Sequence, residues 1–233
     1  GLQEGMRIAD IGCGSGKTSS FLKDLTGPDG EVVGIDQSRK RLDFAQQTYR
    51  VPGLRFEERD IYGSLEDLGK FDFIWVRFFL EYHREKQFDI VQKISGLLAP
   101  GGILCLIDLD HNSLNHYGLS ARLERALSES MDSLITHFDF DPFAGRKLYS
   151  HLYDLKFNKL DVYVGVHHLI FGELTEEDGY NWFKKVSVAL SNSNYTFQEY
   201  PGGFDEFENE CNIFFSDPRR FTYTPLICCR GVK

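Results

Sequence analysis

The residues Asp10-Ile11-Gly12-Cys13-Gly14-Ser15-Gly16-Lys17-Thr18 are of types and spacing that can do chemistry. An apolar run containing Met6, Ile8 and Ile11 breaks into three glycines and then into a helical pattern, which reads as a strand, a tight turn and a helix start. Glycines serve there because the backbone must take positive φ and admit a ligand where a Cβ would collide. The helix start meanwhile offers unpaired N–H groups. A second apolar run, Glu31-Val32-Val33-Gly34-Ile35-Asp36, ends in an acid. It falls about twenty residues beyond the glycines, where a ribose-binding carboxylate belongs in such a βαβ unit. Asp36 also has a plainer reading, as a cap for the helix that begins near Ser38.

Three nucleotide chemistries compete for the loop. A P-loop requires G-x-x-x-x-G-K-[ST]; Gly16-Lys17-Thr18 supplies its end, but Ile11 stands where the first glycine should, so the spacing fails by one residue. A dinucleotide fingerprint requires G-x-G-x-x-G, and Lys17 occupies its third glycine position. The pattern Asp10-x-Gly12-x-Gly14-x-Gly16 fits better, and resembles motif I of the class I S-adenosylmethionine-dependent methyltransferases. Three later stretches carry the resemblance further. Leu54 to Ile61 reads as a third strand ending in the acid Asp60, and Phe71 to Arg77 as a fourth strand followed by Phe78-Phe79-Leu80-Glu81-Tyr82. Leu97 to Asp108 resembles the family's helix end, Pro-Gly-Gly turn and fifth strand. The chain is most similar to the small-molecule methyltransferases that include the ubiquinone and menaquinone biosynthesis enzymes. That set is chemically diverse, so the likeness names a reaction and not a substrate.

The elements that position these residues alternate between apolar runs and helical patterns. Strands are expected near 6–11, 31–36, 54–59, 71–76 and 102–109, with helices near 16–26, 38–49 and 84–98, which implies a parallel sheet covered on both faces. The resemblance adds two strands, the last antiparallel, at Asn158 to His168 and Phe221 to Arg230. The expected fold is therefore α/β, a doubly wound, mostly parallel seven-stranded Rossmann-like sheet, in a single domain over 1–233. Segments 111–140 and 170–218 exceed the minimal fold and are expected to form a helical cap over the carboxyl ends of the strands. Most of its aromatic rings should pack the cap itself, with some lining a pocket for a flat or lipophilic acceptor.

The resemblance also implies roles. Gly12, Cys13 and Gly14 would meet the methionine part and ribose through the backbone, and Asp36 would take both ribose hydroxyls. Gln37 would flank the adenine. Asp60 would accept from its amino group, with the Ile61 N–H on a ring nitrogen; a plain turn acid is the rival reading of Asp60. Asp10 and the backbone around Arg77 would lie near the methionine ammonium. S-adenosylmethionine would carry a methyl group on a cationic sulfur to an oxygen, nitrogen or carbon nucleophile attacking in line. Among His111, His116, Tyr82 and His83, which follow strands five and four, His111 is the chosen base, and Tyr82, His116 and Tyr117 are assigned to the acceptor pocket. Asp108 and Asp110 are not expected to form a metal pair, and no metal is expected.

Composition bounds the partners. A chain of 233 residues with 42% hydrophobic and 26% charged residues has the make-up of a globular enzyme able to bury one sizeable core. Its formal net charge of −9 opposes binding to phosphate backbones, so a small-molecule acceptor and no nucleic acid is the expectation. No apolar run reaches the length of a membrane span. The five cysteines match no metal spacing and read as reduced thiols of a cytoplasmic protein. The chain opens almost directly on strand one, so a preceding segment is expected to be missing. The rival functions are a P-loop-like NTPase, which would use Gly16-Lys17-Thr18 on phosphates, and a non-catalytic S-adenosylmethionine-binding module. An NAD-dependent dehydrogenase fits least.

Overall fold

The computed structural model describes residues 1–111, 115–192 and 195–233. Strands β1 (Arg7–Ile11), β2 (Glu31–Asp36), β3 (Leu54–Glu58), β4 (Phe71–Arg77) and β5 (Leu98–Leu109) pair in parallel. Helices α1 (Lys17–Thr26), α2 (Arg39–Thr48) and α3 (Gln87–Ser95) make three of the crossovers between them. After β5 come β6 (His116–Tyr117), α4 (Ala121–His137), α5 (Leu148–Asp154), β7 (Asn158–Phe171), α6 (Glu176–Asn192), α7 (Phe204–Ser216) and β8 (Phe221–Val232). The order across the sheet is β3-β2-β1-β4-β5-β8-β6, with β7 antiparallel on the other edge of β8.

The sheet of the described residues thus has eight strands rather than the expected seven. The extra strand has a simple cause. β8 runs antiparallel to β5 only as far as the Leu109–Leu226 pair, and continues to Phe221 with backbone groups still to satisfy. Asp110 donates to the Pro225 carbonyl, Tyr223 donates to that of Asn115, and His116–Tyr117 then pairs with Thr222 and Phe221. A second difference lies at the Pro-Gly-Gly turn, which is absorbed into β5 as an irregularity: Phe71 pairs with Leu98 but Phe73 with Ile103.

Alternation along the central strands sorts side chains onto the two faces. Ala9, Ile11, Val33, Ile35, Ile74, Val76, Leu104 and Leu106 face α3 and α5, meeting Ile90, Val91, Ile94, Leu148 and Leu152. Ile8, Val32, Phe73, Cys105 and Ile107 face the other way, against Leu22 of α1. Burying each such aliphatic side chain contributes about 1.5–3 kcal/mol, which is why these runs form the sheet's centre. A further cluster lies away from both faces. Leu123 and Ala126 of α4, Trp182 and Val186 of α6, Phe207, Cys211, Phe214 and Phe215 of α7, and Ile170 pack together, with Tyr200 buried among them. Arg122 clamps α4 to α7 through Glu206 at 2.7 Å and Glu210 at 2.8 Å. Among the described residues no helix is long and apolar enough to cross a membrane.

Candidate functional site

The glycine loop leaves β1 with Gly12, Gly14 and Gly16 all at positive φ. Gly12 and Cys13 donate to the Ile35 carbonyl at 2.8 and 3.0 Å, tying the loop to the tip of β2. Asp36 ends β2 with one carboxylate oxygen 2.8 Å from the Gly14 N–H and the other 2.8 Å from the Ser38 N–H. Asp36 thus ties the glycine loop to the residue that caps α2, which is Ser38 and not Asp36 itself. A carboxylate has about four acceptor positions, so two remain for hydroxyl groups of a ligand.

Beside this corner lies a cavity of about 550 Å³ lined by Ile11, Gly12, Ile35, Asp36, Gln37, Arg41, Arg59, Ile61, Phe78, Phe79, Tyr82 and His83. Of the residues expected on cofactor, Gly12, Asp36, Gln37 and Ile61 line it. The side chain of Cys13 turns away to pack with Leu42, Ala45 and Phe56, leaving only its backbone to the loop. Asp10 is buried beneath, where its carboxylate accepts from the Ser19 hydroxyl at 2.6 Å. Loss of water pushes its pKa up to about 7, against the opposing pull of Ser19 and Arg77. Asp60 is not among the lining residues. It is exposed and accepts from the Tyr62 N–H at 2.9 Å, the geometry of a turn acid, while Arg59 takes the place at the cavity. The Arg77 guanidinium lies 4.3 Å over the Phe78 ring and not on the cavity wall.

A second cavity, of about 640 Å³, opens between α4 and α6 and is lined by Leu127, Ser130, Met131, Leu134, Asn181, Lys184, Lys185, Val186, Ala189 and Leu190, closed by Phe138 and Phe140. Tyr82 lines it too, and so stands between the two cavities. Of the three residues assigned to an acceptor pocket, Tyr82 alone is there. His116 turns into the aromatic cluster, 2.9 Å from the Thr222 hydroxyl and edge-on to Trp182 and Phe214. Tyr117 points outward and is 73% exposed. His111, the chosen base, has φ +48 and presents its ring to Phe143 at 4.9 Å, lining neither cavity. Its neighbour Asp110 is engaged by Arg146 at 2.7 and 2.8 Å, whereas Asp108 accepts from the Glu81 N–H, so the two acids serve separate contacts.

Several residues at the site were either passed over in favour of His111, as His83 was, or not singled out by sequence at all. His83 sits on the wall of the first cavity, its Nδ1 2.7 Å from the Tyr62 hydroxyl and its ring 4.6 Å from Phe79; burial lowers its pKa. His167 on β7 packs 4.8 Å from Phe78, and burial with neighbouring cations lowers its pKa to about 4. Near Tyr82, Asp108 is fully buried and Glu81 almost so. Burial, reinforced by Glu81, raises the Asp108 pKa well above the usual carboxylate range. Lys185 feels the charge of Glu81 from α6, although burial lowers its own pKa. No local pattern marks Lys185, one of two adjacent lysines on an amphipathic helix. The Phe78-Phe79 pair was visible only as apolar residues after β4.

Residues 2–183 match the family model for a methyltransferase domain. The chain belongs to this methyltransferase family. Over 105 residues it is 30% identical to trans-aconitate 2-methyltransferase of Rhizobium leguminosarum bv. trifolii, a match covering 45% of this chain and 39% of that protein. Over 116 residues it is 26% identical to demethylmenaquinone methyltransferase of Lactococcus lactis, covering 48% and 46%. The matches thus span less than half the length of these relatives. In fold it is similar to a methyltransferase structure from Bacillus halodurans, at TM-score 0.60 and 13% identity over 100% of this chain and 94% of that one. It is also similar to phosphoethanolamine N-methyltransferase 2 of Haemonchus contortus bound to S-adenosylmethionine, at TM-score 0.59 and 15% identity over 100% and 50%.

S-adenosylmethionine is the cofactor of such domains, and the methyltransferase corner found here suits it. A Cβ placed on Gly14 would meet nothing within 4 Å, so the loop's outer side is open to a ligand. Asp36 retains acceptor capacity at the strand tip, and Phe78, Phe79 and Tyr82 contribute aromatic side chains to the cavity wall. The P-loop and dinucleotide readings fall with the family assignment.

Proposed function

We propose that the domain binds S-adenosylmethionine in the cavity beside Asp36 and methylates a small molecule held in the cavity between α4 and α6. In this reading, 111–140 and 170–218 form a cap on a single domain. The observation that supports it is Tyr82, which lines both cavities and so marks where a methyl donor and an acceptor could meet. When bound, S-adenosylmethionine supplies a methyl group on a positively charged sulfur, to be taken in line by an oxygen, nitrogen or carbon nucleophile.

The chain's own groups supply position and exclude water. Asp36 would accept from the ribose hydroxyls, Gln37 and Ile61 would flank the adenine, and the Gly12–Gly14 backbone would allow close approach of the methionine part. His83 rather than His111 would receive a proton where the acceptor must lose one. It lines the cavity, and its burial keeps the imidazole neutral and able to accept at physiological pH. The net charge of −9 favours a small-molecule partner over nucleic acid, and the cysteines, all free, suit a reducing, cytoplasmic setting.

Calorimetric titration with S-adenosylhomocysteine, beside ATP and NAD, tests the reading. Micromolar binding of S-adenosylhomocysteine alone is expected, and Asp36→Ala should weaken it about 10–100-fold through loss of charge-assisted hydrogen bonds. A folded chain that ignores S-adenosylhomocysteine, or takes ATP or NAD in preference, would overturn it.

A further inference from the structure

Asp60 lies two residues past the end of β3 and closes a tight turn. Its carboxylate accepts from the Tyr62 N–H at 2.9 Å, and its carbonyl from the Gly63 N–H at 3.0 Å. From the other side, the Lys93 ammonium of α3 donates to the Ile61 carbonyl at 2.9 Å and also to that of Gly63. A turn held by a side chain within and a cation behind fixes the direction in which Tyr62 leaves it. The Tyr62 hydroxyl reaches the segment after β4 and meets Nδ1 of His83 at 2.7 Å, the two rings edge-on with centres 5.6 Å apart. His83 packs 4.6 Å from the Phe79 ring and lines the first cavity, whereas Tyr62 stands behind it and does not. Among the described residues, Nε2 of His83 has no hydrogen-bond partner. Burial, with the charges of Asp139 and Asp60, raises the Tyr62 phenol above its ordinary value, so its hydroxyl keeps its proton at neutral pH.

A neutral imidazole carries a proton on one nitrogen and accepts at the other, and the bond made by one nitrogen decides the state of the other. A tyrosine hydroxyl can serve on either side of that bond. With Tyr62 donating to Nδ1, the proton would sit on Nε2, and the nitrogen without a protein partner could take up none. With Nδ1–H donating to Tyr62, Nε2 offers a lone pair, and the same hydrogen bond persists when His83 becomes imidazolium. Asp139 and Asp60 both act on His83 in the sense that favours that cation, against its burial. We propose that Tyr62 is a positioning residue for methyl transfer: seated by the Asp60 turn, its hydroxyl accepts from Nδ1–H of His83 and keeps the Nε2 lone pair available to the cavity. The acceptor's proton moves to Nε2, whose lone pair becomes the new N–H bond, while the electron pair it leaves stays on the acceptor's nucleophilic atom. The imidazolium then returns the proton to solvent. This deepens the methyl-transfer reading and rests on it for the role of His83. Asp60, expected on the adenine, acts here through Tyr62 instead.

Nitrogen-15 spectra of the imidazoles, recorded on the labelled chain at about pH 8, where an ordinary histidine is neutral, read the tautomer of each ring. His83→Gln assigns the His83 signals among the seven histidines. Wild type should show His83 with its proton on Nδ1. Tyr62→Phe, which keeps the ring and removes the hydroxyl, should move the population to the Nε2–H form that an unconstrained histidine prefers. Its S-adenosylhomocysteine affinity should stay within about threefold of wild type, and its near-ultraviolet circular dichroism serves as the check on its fold. Asp60→Ala should move the tautomer in the same direction by loosening the turn, and Asp60→Asn, which keeps an acceptor for the Tyr62 N–H, should leave it as in wild type. A Tyr62 that served stability alone would leave the tautomer where it was. An Nε2–H ring in wild type, or a tautomer unchanged by Tyr62→Phe, would overturn the proposal, and one unchanged by Asp60→Ala would overturn the part given to the turn. Failure of wild type to bind S-adenosylhomocysteine, with His83 protonated on Nδ1 and sensitive to Tyr62→Phe, would count against the methyl-transfer reading alone.

Discussion

Asp10 shows how a residue legible in sequence acquires its character from burial. Its place two positions before Gly12 follows from the motif, but its partner Ser19 comes from the next helix, and its carboxyl is raised from an ordinary 3.8 to about 7 by desolvation. Between those two values the folded chain holds a proton that the unfolded chain has released. Stability contributed by the protonated form is therefore present below the unfolded value and is lost as pH rises through the folded one. Asp10→Asn keeps an acceptor for Ser19 and removes the titration. Urea denaturation at about pH 5 and about pH 8 should show wild type losing on the order of 1–3 kcal/mol more than the variant over that interval. Identical losses would contradict this account of Asp10. His111 marks the opposite case. Its position just after β5 made it a reasonable base by sequence, yet a left-handed backbone at φ +48 turns its ring to Phe143. Asp60, similarly, lies two residues past the end of β3 at Glu58, and its side chain closes a turn on Tyr62.

At the scale of elements, the loop and its neighbours are held by how closely β1, α1, α2 and β3 pack. Gly16 precedes α1 at φ +82, and a Cβ there would lie 2.7 Å from the Phe56 ring and 2.8 Å from the Ala45 Cβ. Backbone strain and overpacking act together at this point. Gly16→Ala should cost about 2–4 kcal/mol in chemical denaturation and weaken S-adenosylhomocysteine binding with it. A change below about 0.5 kcal/mol would mean that the start of α1 can shift at no cost. The strands of the parallel sheet were readable because both their faces are buried, which leaves near-continuous apolar runs in the sequence. The first helix of the expected cap is α4, Ala121–His137, its start set by the Ser120 side chain accepting from the Leu123 N–H. β6 had no such signal. Two residues long, it exists because β8 extends beyond the end of its pairing with β5.

The molecule as a whole has its aromatic cluster set apart from the cores on the two faces of the sheet. Most of the rings in 111–140 and 170–218 pack among themselves, and Phe138 and Phe140 are the ones that reach the second cavity. Phe207 is fully buried in that cluster, edge-on to Tyr200 and Phe197. Phe207→Ala should destabilise the cluster by about 3–5 kcal/mol, seen as earlier loss of near-ultraviolet circular dichroism on heating, while S-adenosylhomocysteine affinity stays within about threefold of wild type. Parallel loss of cofactor-site affinity would show that the two cavities share one support. Periodicity, turn chemistry and motif spacing are properties of neighbouring residues, so the five parallel strands, the glycine loop, Asp36 at the tip of β2 and the family were legible in the residues alone. The packing of distant elements set the rest: Tyr82 lines both cavities, His83 rather than His111 lines the first, and Lys185 lines the second. Those facts depend on how α6 packs across α4 and the end of β4, elements far apart in the chain, and no local pattern encodes such a meeting.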